Sequence, residues 1–597
     1  MKSTGRLLKA AELRVSYYPL MLIASLAWPL YYNTGPLQYG LFSYTLQQLS
    51  LFALLQSIDT LSPWRKLKYA AAGIASCYVF MVHFNAFLLS ITSMNLYESL
   101  VVLATGGDFI YTLEEAGFST GLIIAVVMLM ALVFATGGAI YRFMPAIITV
   151  KKKAALFPLL TFTLCASLFT AEQIINRDTP GFFWRRIYPL YIELFSTGKN
   201  TLTLKMDHSR LTGDGLFASV TSASNPKNVL VVILESFRAD SISKDLSPEM
   251  AMLARDAFAS PAYHTGAIYT SLAWNSLLMD SPAHTFSQDI EYDRLHNPGS
   301  SILRVFRNAG YRTYMAFSAN MEWKGFHKRV NGADSLIDNY YCAYLNRTED
   351  RNLIDNRTTA RAVEWIKESR RSEPFAMILQ LDSTHWTYYA DPEHRISMPC
   401  AGKDVNIAAL RNPADIELLA NRYRNSVRQV NACISRITGA LKDKGIFEDT
   451  ALVIVSDHGE GFAPGMIGHS VLHDDIKKPA FIMRLPGKVK YASQEYIADT
   501  AIFPTLFDYL GIKVTGGLLR GRSLLDPGYK KKSVLSFHGS LLMADLTSVE
   551  YRVLFRINMA DDLISFTPVY ATDSSGRIIT DTESTGWQND LREIFTR

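Results

Sequence analysis

Long apolar runs dominate the first part of the chain: Val15–Tyr32, Gly40–Ile58, Tyr69–Leu89, Thr120–Tyr141 and Ala154–Ala171. A helix needs about 20 apolar residues to cross the hydrocarbon layer of a bilayer. A cleaved leader followed by buried core helices does not account for five such runs in succession, so the pattern predicts five membrane helices. Their orientation follows from where Lys and Arg lie. Lys2, Arg6, Lys9 and Arg14 precede the first run, Arg65, Lys66 and Lys68 follow the second, and Arg142 with Lys151, Lys152 and Lys153 separates the fourth from the fifth. The loops 33–39 and 90–119 hold neither Lys nor Arg. Basic loops stay inside, and an odd number of crossings then delivers everything after Ala171 to the outer face.

From Glu172 to Lys227 the pattern loosens. Phe182 to Phe195 mixes aromatics with Arg185 and Arg186, as an interfacial helix or a linker helix packed on a soluble domain would. A Gly/Ser/Asn-rich piece ending at Asn225 and Pro226 marks a boundary. Beyond it, short apolar runs (Val229–Leu234, Phe375–Leu381, Ala451–Ser456, Ala480–Leu485) alternate with helical patterns such as Ile302–Asn308 and Ala414–Lys444. That alternation predicts an α/β domain with a mostly parallel sheet covered on both faces. The expected organisation is a transmembrane domain over 1–171, a juxtamembrane linker over 172–227 and an extracytoplasmic domain over 228–597.

Composition supports a membrane segment: 49% of residues are hydrophobic and the mean hydropathy is +0.07. The 60 Lys+Arg against 55 Asp+Glu are too balanced to predict a nucleic-acid partner. None of the five cysteines forms a C-x-x-C pair, which argues against a cysteine metal site. Cys342, Cys400 and Cys433 lie in the outer portion, so a disulfide among them is compatible with the compartment.

Working residues of open α/β sheets gather beyond the carboxyl ends of strands. Those ends carry Glu235-Ser236, Ser383-Thr384-His385-Trp386 and Ser456-Asp457-His458-Gly459-Glu460, with His469 and His473 soon after. Taken singly, Glu235 and Asp457 read as helix caps. Adjacent Asp-His on one strand end, backed by a carboxylate on another, instead predicts an oxygen- and nitrogen-rich site for a divalent metal. A hydroxyl nucleophile is offered by Thr270 or Ser271, at a turn into a helix whose N-terminus would face an anionic phosphate.

These residues resemble the alkaline phosphatase and sulfatase superfamily, and within it the membrane-anchored lipoteichoic acid synthases and phosphoethanolamine transferases. The resemblance runs from Asn228 to Leu525 through V-V-I-L-E-S-F-R-A-D, G-A-I-Y-T-S-L-A-W-N-S-L-L, V-I-V-S-D-H-G-E and the segment Asp499–Ile512 with Gly521–Leu525. It implies a sulfatase-like catalytic domain behind a five-helix transmembrane bundle. It also implies one Zn or Mn ion held by Glu235, Thr270, Asp457 and His458, with Thr270 as the nucleophile that is phosphorylated. His385 and His469 would contact phosphate and move protons, and His473 and Trp323 would contact the substrate. Trp323 lies in F-S-A-N-M-E-W, where Ser318 or Asn320 stands in place of a family histidine. The implied activity transfers a phosphoethanolamine or phosphoglycerol headgroup from a membrane phospholipid to an envelope glycan or glycolipid, at the outer face of a bacterial inner membrane. A membrane phosphodiesterase or phosphatase, or a degenerate lipid-sensing relative, are the alternatives. Sulfate hydrolysis is not expected, since no C/S-x-P-S-R sequence lies between Ser260 and Pro282.

Overall fold

The computed structural model describes residues 11–13, 17–32, 41–62, 64–92, 120–143, 148–150, 156–175, 201–205, 219–279, 300–322, 325–332, 335–346, 354–402, 412–463, 466–469, 471–492, 495–515, 521–528, 530–539, 543–560, 563–579 and 585–596. The chain divides into two compact units: Met1–Thr201 with Pro568–Tyr570, and Leu202–Thr567 with Ala571–Arg597. The aromatic, arginine-containing segment 182–195 lies outside the described residues.

In the first unit a helix stands on each of the five apolar runs: α1 (Tyr17–Tyr32), α2 (Leu41–Leu61), α3 (Arg65–Thr92), α4 (Thr120–Phe143) and α5 (Phe157–Ile175). Its centre is polar and aromatic. The Tyr17 hydroxyl donates to the Ala72 carbonyl at 2.9 Å, and Tyr141 donates to the buried Asp59 carboxylate. Its outside is apolar, with Ile23, Met128, Leu132, Leu160 and Leu164 exposed. Among the described residues, Arg65–Asn85 is the one stretch that is long and apolar enough to cross a membrane.

The second unit is built on a seven-stranded sheet. In chain order its strands are β1 (Asn228–Leu234), β2 (Phe258–Ala259), β3 (Arg312–Phe317), β4 (Asn339–Cys342), β5 (Phe375–Leu381), β6 (Thr450–Ser456) and β7 (Phe481–Arg484). The spatial order is β2-β7-β6-β1-β5-β3-β4. The run from β6 to β4 is parallel, and β7 is antiparallel to both β6 and β2, so the sheet is mixed. Both faces are covered. Val229, Val231 and Ile233 join a core with Trp274, Phe306 and Phe503, while Leu230, Val232 and Leu234 pack against Leu419, Val427 and Val430 of the opposite layer. A strand buried on both sides has no polar alternation to keep, which is why β1, β5 and β6 read as near-continuous apolar runs.

A second, antiparallel sheet of five strands lies in the same unit: β8 (Ser533–Phe537), β9 (Met543–Ser548), β10 (Tyr551–Ala560), β11 (Leu563–Asp573) and, beside β11, Leu202–Lys205. Its core holds Phe555, Phe566, Trp587 and Leu591. Residues read as linker thus supply an edge strand. Among the described residues no disulfide forms: Cys342, Cys400 and Cys433 each keep an unoxidised thiol, Cys342 and Cys433 buried.

Candidate active site

The neighbouring strands β5, β1 and β6 end at one rim, and each delivers polar groups there. Glu235 follows β1 directly, its amide still bonded to the Leu381 carbonyl at 3.0 Å. Ser236 then turns into the left-handed region at φ 54°, a conformation costly for a residue with a Cβ. The turn directs the Ser236 amide to Asp457 Oδ1 at 3.0 Å, and the Ser236 carbonyl accepts from the Tyr423 hydroxyl at 2.9 Å. Asp457 Oδ1 also accepts the His458 amide at 2.7 Å. With Oδ1 occupied by amides, Oδ2 is left pointing elsewhere.

Thr270 is the first residue of helix α6 (Thr270–Met279). Its hydroxyl donates to Glu235 Oε1 at 2.7 Å and lies 3.4 Å from His458 Nε2. His458 Nε2 is 3.7 Å from Glu235 Oε1 and 3.6 Å from Asp457 Oδ2. The His458 Nδ1 faces the Gly459 carbonyl at 3.0 Å. A proton on Nδ1 satisfies that contact and leaves the Nε2 lone pair facing the two carboxylates, as a metal ligand requires.

Ligand atoms of Glu235, Asp457 and His458 all lie within 4.8 Å of one another, and the three residues are buried. Glu235 Oε2 and Asp457 Oδ2 have no hydrogen-bond partner. Burial, with the Asp457 and Asp382 charges beside it, pushes the Glu235 carboxyl well above the usual range. Burial likewise raises Asp457, against the pull of the Ser236 and His458 amides. Burial and the nearby His469 hold His458 well below its ordinary value, so it is neutral. Two buried carboxylates, a neutral imidazole and a hydroxyl, with carboxylate oxygens left unpaired, fit a divalent cation, which would offset the desolvation of both acids. The donor set is oxygen and nitrogen without thiolate, a chemistry that suits Zn or Mn.

The structure brings His385 and His469 to the same rim. The His458 and His469 rings are 4.2 Å apart between centroids, and those of His385 and His469 6.4 Å. His473 is elsewhere in role: half exposed, it caps the short helix Asp474–Lys477, accepting the Asp475 amide at 3.2 Å. Trp323 lies outside the described residues. One residue passed over in the sequence belongs to the group. Glu460 is fully buried, neither carboxylate oxygen has a hydrogen-bond partner, and Oε1 stands 3.6 Å from His469 Nδ1, an ion-pair distance too long for a hydrogen bond. Burial alone would lower His469, but Glu460, with the Asp457 charge, outweighs it and the net shift is upward. The S-D-H-G-E string contained this residue, and two positions beyond the histidine was the only signal for it.

At the start of α6 the first amide bonded back is that of Leu272, to the Tyr269 carbonyl at 3.1 Å. The Thr270 and Ser271 amides precede it, at the positive end of the helix, where an anion is favoured. The site therefore offers a partly exposed hydroxyl, a cation position beneath it and imidazoles at its edge.

Residues 227–512 match the family model described as Sulfatase. Among curated proteins, the lipoteichoic acid synthase of Staphylococcus saprophyticus is 21% identical over 370 residues, covering 55% of this chain and 52% of that protein. The lipoteichoic acid synthase of Staphylococcus aureus is 21% identical over 299 residues, covering 44% and 42%. The chain thus spans about half the length of the curated relatives it matches. Among solved structures, a lipoteichoic acid synthase from Listeria monocytogenes is similar with a TM-score of 0.45 and 17% identity, over 62% of this chain and 91% of that one. A phosphonate monoester hydrolase of Agrobacterium radiobacter gives a TM-score of 0.45 and 15% identity, over 62% and 95%. Residues 227–512 of this chain form a Sulfatase family domain.

Proposed function

We propose that this protein is a membrane-anchored transferase that moves a phosphoglycerol headgroup from a phospholipid to an envelope glycan or glycolipid through a phosphothreonine at Thr270. The observation that carries the reading is the Thr270 hydroxyl, 2.7 Å from Glu235 Oε1 at a buried Glu-Asp-His cluster and at a helix N-terminus. A divalent cation held by Glu235, Asp457, His458 and the Thr270 oxygen would lower the pKa of that hydroxyl and offset charge on the phosphate.

In the first step the Thr270 oxygen attacks phosphorus, its proton passing along the existing bond towards Glu235 Oε1. The bond from phosphorus to the diacylglycerol oxygen breaks, and His469 or His385 supplies the proton that oxygen needs to leave as an alcohol. In the second step an acceptor hydroxyl attacks the phosphothreonine and the same histidines receive its proton; the bond from phosphorus to the Thr270 oxygen breaks, and Glu235 returns the proton to that oxygen, regenerating the hydroxyl. The Thr270 and Ser271 amides hold the phosphate oxygens throughout.

Curated relatives named lipoteichoic acid synthase support phosphoglycerol over phosphoethanolamine. The anchor is part of the proposal: five helices cross the membrane, in line with their apolar exterior and the alternation of basic loops, and hold the catalytic unit on the outer side. The testing experiment incubates the full chain in vesicles containing headgroup-labelled phosphatidylglycerol or phosphatidylethanolamine, with and without a glycolipid acceptor. Diacylglycerol release from phosphatidylglycerol, with acceptor-dependent label transfer lost in Thr270→Ala, is expected. Release of free glycerol phosphate regardless of acceptor would make the protein a phosphodiesterase instead.

A further inference from the structure

The loop that leads into Thr270 is fixed in part from outside the matched domain. Every backbone group from the Thr265 amide to the Ile268 amide has a partner. The Thr265 amide donates to the Lys477 carbonyl at 2.9 Å, and the Thr265 carbonyl accepts the Ser536 hydroxyl at 2.6 Å. The Gly266 amide donates to Asp499 Oδ2 at 3.0 Å, and the Gly266 carbonyl accepts the Phe537 amide at 2.8 Å. Both groups of Ala267 are met by the Thr265 hydroxyl, and the Ile268 amide donates to the Phe537 carbonyl at 3.0 Å. Strand β8, which supplies Ser536 and Phe537, belongs to the second sheet.

The same sheet reaches the histidine loop through buried charge. Lys477 Nζ, fully buried, is 3.0 Å from Asp545 Oδ2 and 3.1 Å from the Thr547 hydroxyl, both on β9. Asp545, also buried, binds Arg552 Nε on β10 at 2.6 Å, and Arg552 Nη2 donates to the Leu472 carbonyl at 2.6 Å, between His469 and His473. Lys477 is thus linked to both loops at once. Its carbonyl holds the approach to Thr270, and its ammonium is bound to the carboxylate that places the guanidinium under Leu472.

We propose that the buried Lys477–Asp545 pair is a positioning device, locking the Thr270 loop and the His469 loop in one register, so that the sheet beyond residue 512 is a working part of the active site. Neither residue touches substrate. They act by holding the nucleophile and the imidazole within the small displacement that in-line attack tolerates, where a misplacement of about 1 Å costs roughly 100-fold in rate. A buried pair replaced by apolar residues of similar volume often leaves folding intact, whereas removal of one partner does not, so the informative variant is the double one.

This inference rests on the transferase reading, and the test separates the two. Full-length Lys477→Met/Asp545→Leu and Asp545→Asn are compared with the wild type for thermal unfolding, manganese affinity, steady-state turnover of phosphatidylglycerol, and hydrogen exchange of the 265–268 and 471–473 amides. The double variant is expected to unfold within a few degrees of wild type and to bind manganese equally. Its KM should hold within about twofold while kcat falls about 10- to 100-fold, with faster exchange in both loops. Unchanged kcat and exchange in a folded double variant would overturn the proposal, as would a kcat loss that merely tracks lost folding or lost manganese. If the wild type itself does not turn over phospholipid, the transferase reading fails, and the exchange result alone decides whether the pair couples the loops.

Discussion

At the scale of single residues, the site depends on close approaches that a larger or differently charged side chain would spoil. Gly266 is one: a Cβ there would lie 2.8 Å from Asp499 Oδ2 and 3.0 Å from the Ser276 hydroxyl. Gly266→Ala is expected to cost about 1–3 kcal/mol of stability by overpacking and to lower turnover, since it pushes on the loop into Thr270. Thermal unfolding and turnover check both effects, and an Ala variant that matches wild type would remove the steric argument. His264 contributes to the pH dependence of stability. Its Nδ1 meets the Ala262 carbonyl at 3.0 Å, its Nε2 is buried without a partner, and burial lowers its pKa to about 4. The unfolded chain takes up this proton near pH 6.5 and the folded one only near 4. The stabilising contribution is therefore complete above about 6.5 and is lost as pH falls towards 4, worth about 3 kcal/mol over that window. His264→Asn, whose amide can keep the bond to Ala262, should flatten the decline in unfolding temperature between pH 7 and 5. An equally steep decline in that variant would assign it to other groups.

At the scale of elements, what was legible in the sequence follows from burial. β1, β5 and β6 stand out because central parallel strands are covered on both faces, and their carboxyl ends gave Glu235, His385, Asp457 and His458 at once. The second sheet was not read. In β10 the polar Arg552, Arg556 and Asn558 alternate with Val553, Phe555 and Ile557, a half-exposed pattern that is present but faint beside long apolar runs, and the edge strand Leu202–Lys205, beside β11, lies more than 300 residues away in the chain. Glu460 escaped because a buried acid announces itself only through what surrounds it. Support between elements is equally invisible in one dimension. Tyr423, on the long helix Pro413–Asp443, accepts the Arg238 amide and donates to the Ser236 carbonyl, both at 2.9 Å, bracketing the turn that aims Glu235. Tyr423→Phe leaves those two buried groups unpaired, at a cost of about 1–3 kcal/mol. Lower thermal stability together with weaker manganese binding is expected, and a manganese affinity unchanged from wild type would show that the turn holds without the hydroxyl.

At the scale of the whole molecule, an apolar helical unit precedes in the chain the unit that carries the candidate site. The proposed topology is checked in a cysteine-free background on intact cells with a membrane-impermeant maleimide. Leu37→Cys should be labelled and Lys66→Cys should not, and the reverse pattern would place the catalytic unit in the cytoplasm. The central claim, however, is covalent: Thr270, not Ser271 or a water, receives the phosphoryl group. It is tested most directly by mass spectrometry of the peptide containing Thr270, from full-length protein trapped with phosphatidylglycerol and no acceptor. The account predicts a phosphoglycerol adduct on Thr270 that is absent in Thr270→Ala and disappears when acceptor is added. Diacylglycerol release with an unmodified Thr270, or an adduct that persists in the alanine variant, would contradict it.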